Sequence, residues 1–220
     1  MQYMTVRNAV SGLVLAAIFA VIGCIGNQAP KKPVTFYQLE YATQAPHFAE
    51  APLPFVIRVE PFQPTELYGS QRIVYKEKQY ITSQYNYHQW IIPPDRMVPE
   101  FLARDLRQAD IVQAVFLNGG EAATHRLVGS LTAFYENDQE AQWEAVAGIS
   151  IALIKTGKSN ITDQICFQKT YEASEISREN TPDGFVEAMS QAVRKISEVM
   201  ISDIYNELLK QKKQAPERTG

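Results

Sequence analysis

The chain has 220 residues, of which 45% are hydrophobic and 20% charged, the balance of an ordinary globular protein and far from that of disordered or fibrous chains. That length, less a removable leader, holds one domain and little more. A formal net charge of -3 supplies no broad positive field for phosphate backbones, which excludes nucleic acid as a partner.

Met1 to Asn8 carries one basic side chain, Arg7, and no acid; Ala9 to Gly23 is apolar apart from Ser11. A basic n-region before an apolar h-region is the order of a secretory signal. A spanning helix needs about 20 apolar residues, and this run is shorter and closes on Gly23-Cys24. The segment Val21-Ile22-Gly23-Cys24 resembles the lipobox of bacterial lipoproteins, with an aliphatic residue three places before the cysteine and a small one beside it. The peptidase must reach a bond next to a side chain that already carries diacylglycerol, and Gly23 leaves it room. Residues 1–23 are therefore expected to be a lipoprotein signal peptide, with Cys24 the lipidation site. One acyl chain holds a protein weakly and several hold it firmly, at about 0.8 kcal/mol per buried methylene. Ile25 is not the aspartate that marks retention at the inner membrane, so the periplasmic face of the outer membrane is the expected location. With Cys24 in a thioether, Cys166 has no intrachain partner and no disulfide is expected.

Residues 24–33 are polar and broken by Pro30 and Pro33; they read as a lipidated flexible tether reaching on the order of 30 Å. From Val34 to Tyr41 the chain turns β-branched and aromatic and predicts a strand. A proline-studded turn, Ala45 to Pro54, leads to a second strand over Phe55 to Val59. Arg72 to Glu77 and Gln79 to Trp90 predict two more, the latter with Ile81, Tyr85 and Tyr87 on one face by period-two spacing. Val98, Leu102, Leu106 and Ala109 recur at helical spacing behind Pro93-Pro94-Asp95, with Pro99 expected in the first turn, where its missing N–H costs nothing. Ile111 to Leu117 predicts a strand stopped by Asn118-Gly119-Gly120. Three longer alternating segments follow, Arg126 to Glu136, Gln142 to Lys155 and Gln164 to Ile176, with the look of an antiparallel meander. Thr181-Pro182-Asp183 is an N-cap, a first-turn proline and a first-turn acid. Phe185, Met189, Val193, Ile196, Met200, Ile204 and Leu208 then form the apolar stripe of a long helix. Residues 34–210 thus predict a single α+β domain, a mixed but largely antiparallel sheet with two principal helices packed on it. Residues 211–220 read as a polar, frayed tail.

No reactive constellation stands out. Ala152 to Ser159 satisfies a loose phosphate-loop pattern, but its loop, Leu153-Ile154-Lys155-Thr156, lacks glycine, and an alternating segment rather than a helix follows, so a hairpin is expected. His47, His88 and His125 lie in separate segments, and neither cysteine has zinc-site spacing, so no metal or cofactor is expected. Glu136 and Glu140 flank a turn and read as solvated loop acids rather than a hydrolytic pair. Ser70, Ser83 and Ser130 lack a nucleophile turn, and Cys166 reads as a small buried strand residue. The aromatic density from Tyr68 to Trp90 fits either a strand or a surface that is apolar at one end and wet at the other.

Several segments together resemble the auxiliary lipoprotein of ABC-type lipid transport systems, the PqiC (YmbA) family. They are the lipobox; Phe36-Tyr37-Gln38-Leu39; Ile57-Arg58-Val59-Glu60-Pro61-Phe62; and Arg72-Ile73-Val74-Tyr75. To these is added Tyr85, Tyr87, His88 and Trp90, running into Pro93-Pro94 and a helix with Leu102 and Leu106. The resemblance covers nearly the whole mature chain, by residue as far as Ile111 and by pattern beyond it. It implies a protein that is not an enzyme. Such a protein stands on the inner face of the outer membrane through its lipid anchor and docks a periplasm-spanning MCE-type protein, whose inner-membrane transport complex moves lipid. Cys24 would anchor it, and Tyr85, Tyr87 and Trp90 would contact the partner. Formation of a homo-oligomer, such as a ring, is left open. The rival readings are an adaptor for another envelope assembly, in secretion or cell-wall synthesis, and a periplasmic hydrolase.

Overall fold

The computed structural model describes residues 32–44, 48–119, 122–138, 141–157 and 164–214. The signal peptide, Cys24, most of the tether, His47, Glu140 and the Lys158-Ser159 end of the phosphate-loop pattern lie outside the described residues. The strands are β1 (Thr35–Tyr37), β2 (Leu53–Val59), β3 (Arg72–Lys78), β4 (Ile81–Trp90), β5 (Val112–Leu117), β6 (His125–Asn137), β7 (Glu144–Lys155) and β8 (Ile165–Ile176). The helices are α1 (Pro94–Gln108) and α2 (Pro182–Gln214).

All eight strands join one sheet, and it is mixed rather than largely antiparallel. The expected meander is present, with β6, β7 and β8 antiparallel neighbours, and β3 and β4 also run antiparallel. Against expectation, β1 runs parallel to β4, β2 to β5 and to β6, and β3 to β6. Short turns between successive strands signal antiparallel pairing, whereas parallel neighbours are joined by long crossovers that leave no local signature. Here the β3–β4 hairpin and α1 intervene between β2 and β5, so their pairing could not be read from adjacency.

Strand β6 is the spine of the sheet. One side pairs with β7 along its whole length. On the other side its first residues meet β2, from Ile57↔His125 to Val59↔Leu127, and its last meet β3, from Val74↔Tyr135 to Lys76↔Asn137. Between the two, the chain after β2 continues along the same edge of β6 to a parallel bridge from Gln63 to Ser130. Gly129 leaves room for Phe62 there: a Cβ at this position would stand 2.6 Å from the Ser150 carbonyl oxygen and 2.8 Å from the Phe62 ring.

The predicted stripe of α2, from Phe185 to Leu208, is buried throughout, opposite the alternate positions Ala145, Ala147, Ile149, Ile151 and Leu153 of β7. Thr181 caps this helix, its Oγ1 accepting from the Gly184 N–H at 3.1 Å. The helix runs on through Gln214, past the expected start of the tail, and Gln211 Oε1 lies 3.2 Å from buried His125 Nε2. In α1, Val98, Leu102 and Leu106 are buried as their spacing requires. It is Pro94 that occupies the first turn, while Pro99 lies inside the helix. A proline there withholds the N–H that would reach the carbonyl four residues back. That carbonyl belongs to Asp95, and it accepts instead from the backbone N–H of Phe62 at 3.3 Å. The helix is thereby tied to the chain that runs along β6.

Strand β1 is shorter than the predicted Val34 to Tyr41, because the chain leaves the sheet after Tyr37 to bury Leu39 and Tyr41. The Asp105 carboxylate of α1 holds this segment. It accepts from Tyr41 Oη at 2.8 Å, Thr43 Oγ1 at 2.6 Å and Ser197 Oγ of α2 at 2.7 Å. Arg104 adds two more, from Nε at 2.9 Å and Nη2 at 2.7 Å.

Candidate functional site

The aromatic run singled out in the sequence falls on β4, which is irregular in the middle. Val74 of β3 pairs with Gln84 while Arg72 pairs with Gln89, so β4 carries extra residues between Gln84 and Gln89. Such a bulge breaks the two-residue alternation and re-aims side chains. Tyr85 and His88 both turn inward, toward each other, with ring centroids 5.6 Å apart in a T-shaped contact. Tyr87 lies on the opposite side, half-exposed, so the expectation that Tyr85 and Tyr87 share a face is corrected by the bulge.

The inward residues build a polar and aromatic cluster. Tyr85 stacks on Tyr75 with centroids 4.6 Å apart and donates its phenol hydrogen to Glu136 Oε1 at 2.9 Å. The Tyr37 hydroxyl of β1 meets His88 Nδ1 at 3.1 Å. Burial raises the Tyr37 phenol above its ordinary value, and the Asp183 carboxylate, in the first turn of α2, raises it further.

Glu136 is 0% exposed, not the solvated loop acid that its place beside a turn suggested. Burial pushes its carboxyl up to about 7; the Tyr85 hydrogen bond opposes that rise and Asp138 adds to it. Its Oε2 is buried with no hydrogen-bond partner. A charged carboxylate so placed is costly, so the group stays protonated well above the usual range. The signal that could have found it was parity: Glu136 stands two residues after core residue Phe134, on the same face of β6.

Trp90 is 1% exposed and packs against Phe134 and Phe185, at centroid distances of 5.4 and 6.0 Å. Its indole belongs to the core. Tyr85 is committed to Glu136, and of the three aromatic residues only Tyr87 opens outward. His88 and His125 stand in different parts of the sheet, and among the described residues no group of three or more metal-ligating side chains comes together. Cys166 is a free, half-buried thiol whose pKa burial raises, outweighing the opposite pull of Gln211 and Lys155. Residues 164–176 after the phosphate-loop pattern enter a strand, not the helix a phosphate loop needs.

A family model described as the ABC-type transport auxiliary lipoprotein component matches residues 37–200. The chain belongs to this family. The match spans every strand from β2 to β8, α1, and more than half of α2, so the auxiliary lipoprotein domain and the fold described above are the same object. The crystal structure of protein XCC0632 from Xanthomonas campestris, of the family model DUF330, superposes with a TM-score of 0.70 at 15% identity, covering 82% of this chain and 100% of that one. That of an uncharacterized protein gives 0.62 at 16% identity, covering 79% and 99%. No curated protein matches the chain in sequence. As an auxiliary lipoprotein component, the chain is associated with ABC-type transport and with the cell envelope. Among the described residues no helix is long and apolar enough to cross a membrane.

Proposed function

We propose that this auxiliary lipoprotein is held by acylated Cys24 on the periplasmic face of the outer membrane, where it docks an MCE-type protein that spans the periplasm toward an inner-membrane transport complex. It adds no chemistry of its own: its part is to fix one end of a path for lipid. The observation that carries the reading is the family match over residues 37–200, joined to a leader that closes on Val21-Ile22-Gly23-Cys24. The interior supports it, since Glu136, Tyr85 and His88 are committed to packing and to one another rather than gathered about a cleft. Of the three aromatic residues expected to meet the partner, Tyr87 is open to solvent, while Tyr85 and Trp90 face inward.

Crosslinking in intact cells followed by capture of the lipoprotein tests the reading. Recovery of an MCE-domain protein together with the ATPase of its transport complex is the expected result. Recovery of secretion or cell-wall synthesis machinery in its place would move the chain to the rival adaptor class.

A further inference from the structure

The side of β1 and β4 that faces away from the helices is unusually apolar. The strands pair in register, Thr35↔His88, Phe36↔Gln89 and Tyr37↔Trp90. Tyr37, His88 and Trp90 point inward, as their contacts with one another's neighbours show. Alternation therefore puts Val34 and Phe36 of the β1 segment, with Tyr87, Gln89 and Ile91 of the β4 segment, on the other side. The four apolar ones are open to solvent: Phe36 at 52%, Ile91 at 47%, Tyr87 at 42% and Val34 at 39%. Exposed Arg72 of β3, paired with Gln89, borders them on one side, and Lys32 precedes them in the chain.

Single exposed apolar residues are ordinary, but a group of aromatic and aliphatic side chains around one glutamine, bordered by Arg72, has the composition of a surface seated among lipid headgroups. Resting on the anchor reading above, we propose that this outer face of β1 and β4 lies against the phospholipid surface to which the chain is tethered. The length of the tether argues for lipid. Residues 25–33 separate Cys24 from Val34, and at about 3.3 Å each they span on the order of 30 Å at full stretch. The tether ends at the first residue of the patch, so no other face of the domain is nearer the anchor along the chain. An anchored domain meets its bilayer at high effective concentration, and a contact too weak to bind alone then suffices. Four side chains are also far short of the roughly 800 Å² per partner typical of a stable protein interface. Tyr87 thus has headgroups for neighbours in place of the protein contact its sequence context suggested, and the MCE-type partner meets another face.

The test uses the full lipidated chain with Cys166→Ser and one labelling site, either Phe36→Cys or Ile91→Cys, with Ile176→Cys on distant β8 as the reference. Each is bimane-labelled and reconstituted into vesicles of phosphatidylethanolamine and phosphatidylglycerol carrying a nitroxide lipid. The labels at positions 36 and 91 should lose most of their emission to the nitroxide, while the label at 176 keeps it. Equal emission at all three positions overturns the inference. So does a blue shift at 36 and 91 without quenching, which would signal a second copy or a protein against the patch. Vesicles float separately from the chain if Cys24 carries no lipid, and that outcome removes the anchor reading and this inference together; co-flotation without quenching removes the inference alone.

Discussion

Glu136 has a carboxyl that must be kept neutral to be buried, and that makes stability depend on pH in a definite direction. Its folded pKa, about 7, lies above the ordinary 4.5. Below pH 4.5 both folded and unfolded chains carry the proton and nothing is lost. Between 4.5 and about 7 the unfolded chain ionises first, so stability falls as pH rises, by roughly 3 kcal/mol in all. Glu136→Gln should abolish this fall and leave the protein more stable than the parent at pH 8, as measured by urea denaturation across that range. Burial holds His125 low, which adds the opposite slope, with stability lost as pH falls through its folded value; the difference between variant and parent is therefore the quantity to follow. Should the two pH profiles run parallel, Glu136 is not buried as described. Asp105 presents the contrasting case of a buried carboxylate with its acceptor sites filled by Tyr41, Thr43, Ser197 and Arg104. Truncation by Asp105→Ala leaves the buried Tyr41 and Ser197 hydroxyls without their acceptor, while Arg104 can turn to water, and should cost about 1–3 kcal/mol in the same denaturation assay.

At the level of strands and helices, Gly129 of β6 leaves no room for a side chain. Gly129→Ala forces a methyl group onto backbone on one side and the Phe62 ring on the other, and overpacking of this kind costs about 1–3 kcal/mol. Thermal unfolding should show a lowered midpoint, and an unchanged one would mean that Phe62 yields without strain. The elements themselves were largely legible beforehand. Alternation marked β6, β7 and β8, and the stripe from Phe185 to Leu208 marked α2, because each buries one face and carries the corresponding period. Three features were not legible, and each depends on contacts between distant segments. The parallel pairings of β2 and β3 with β6 join segments far apart in sequence. Pro99 is tolerated inside α1 because Phe62, outside the helix, takes up the Asp95 carbonyl. The bulge in β4 inverts Tyr85 relative to Tyr87, so an aromatic run that reads as one surface divides into a buried cluster and an exposed patch. Glu136 was hidden for a related reason: a turn follows it closely, but its own position belongs to the strand.

For the whole molecule, attachment and folding are separable. Among the described residues, the buried ones from Leu39 to Leu208 form one hydrophobic cluster. Cys24→Ala should therefore yield a folded domain that fractionates with soluble periplasmic protein; finding it still in the outer-membrane fraction would mean that something other than acylation holds it there. The Asp105 latch acquires a mechanical meaning in the tethered protein. Any tension on the anchor arrives at Val34, passes into a strand of only three residues, and would peel that strand away were the load not handed on. Just beyond it, Tyr41 and Thr43 are fastened to a carboxylate that also grips α2 through Ser197. The pull is therefore delivered to the helices instead of unzipping the sheet from its margin, and forced extension from the N-terminus should release the Asp105→Ala domain at a lower load than the parent.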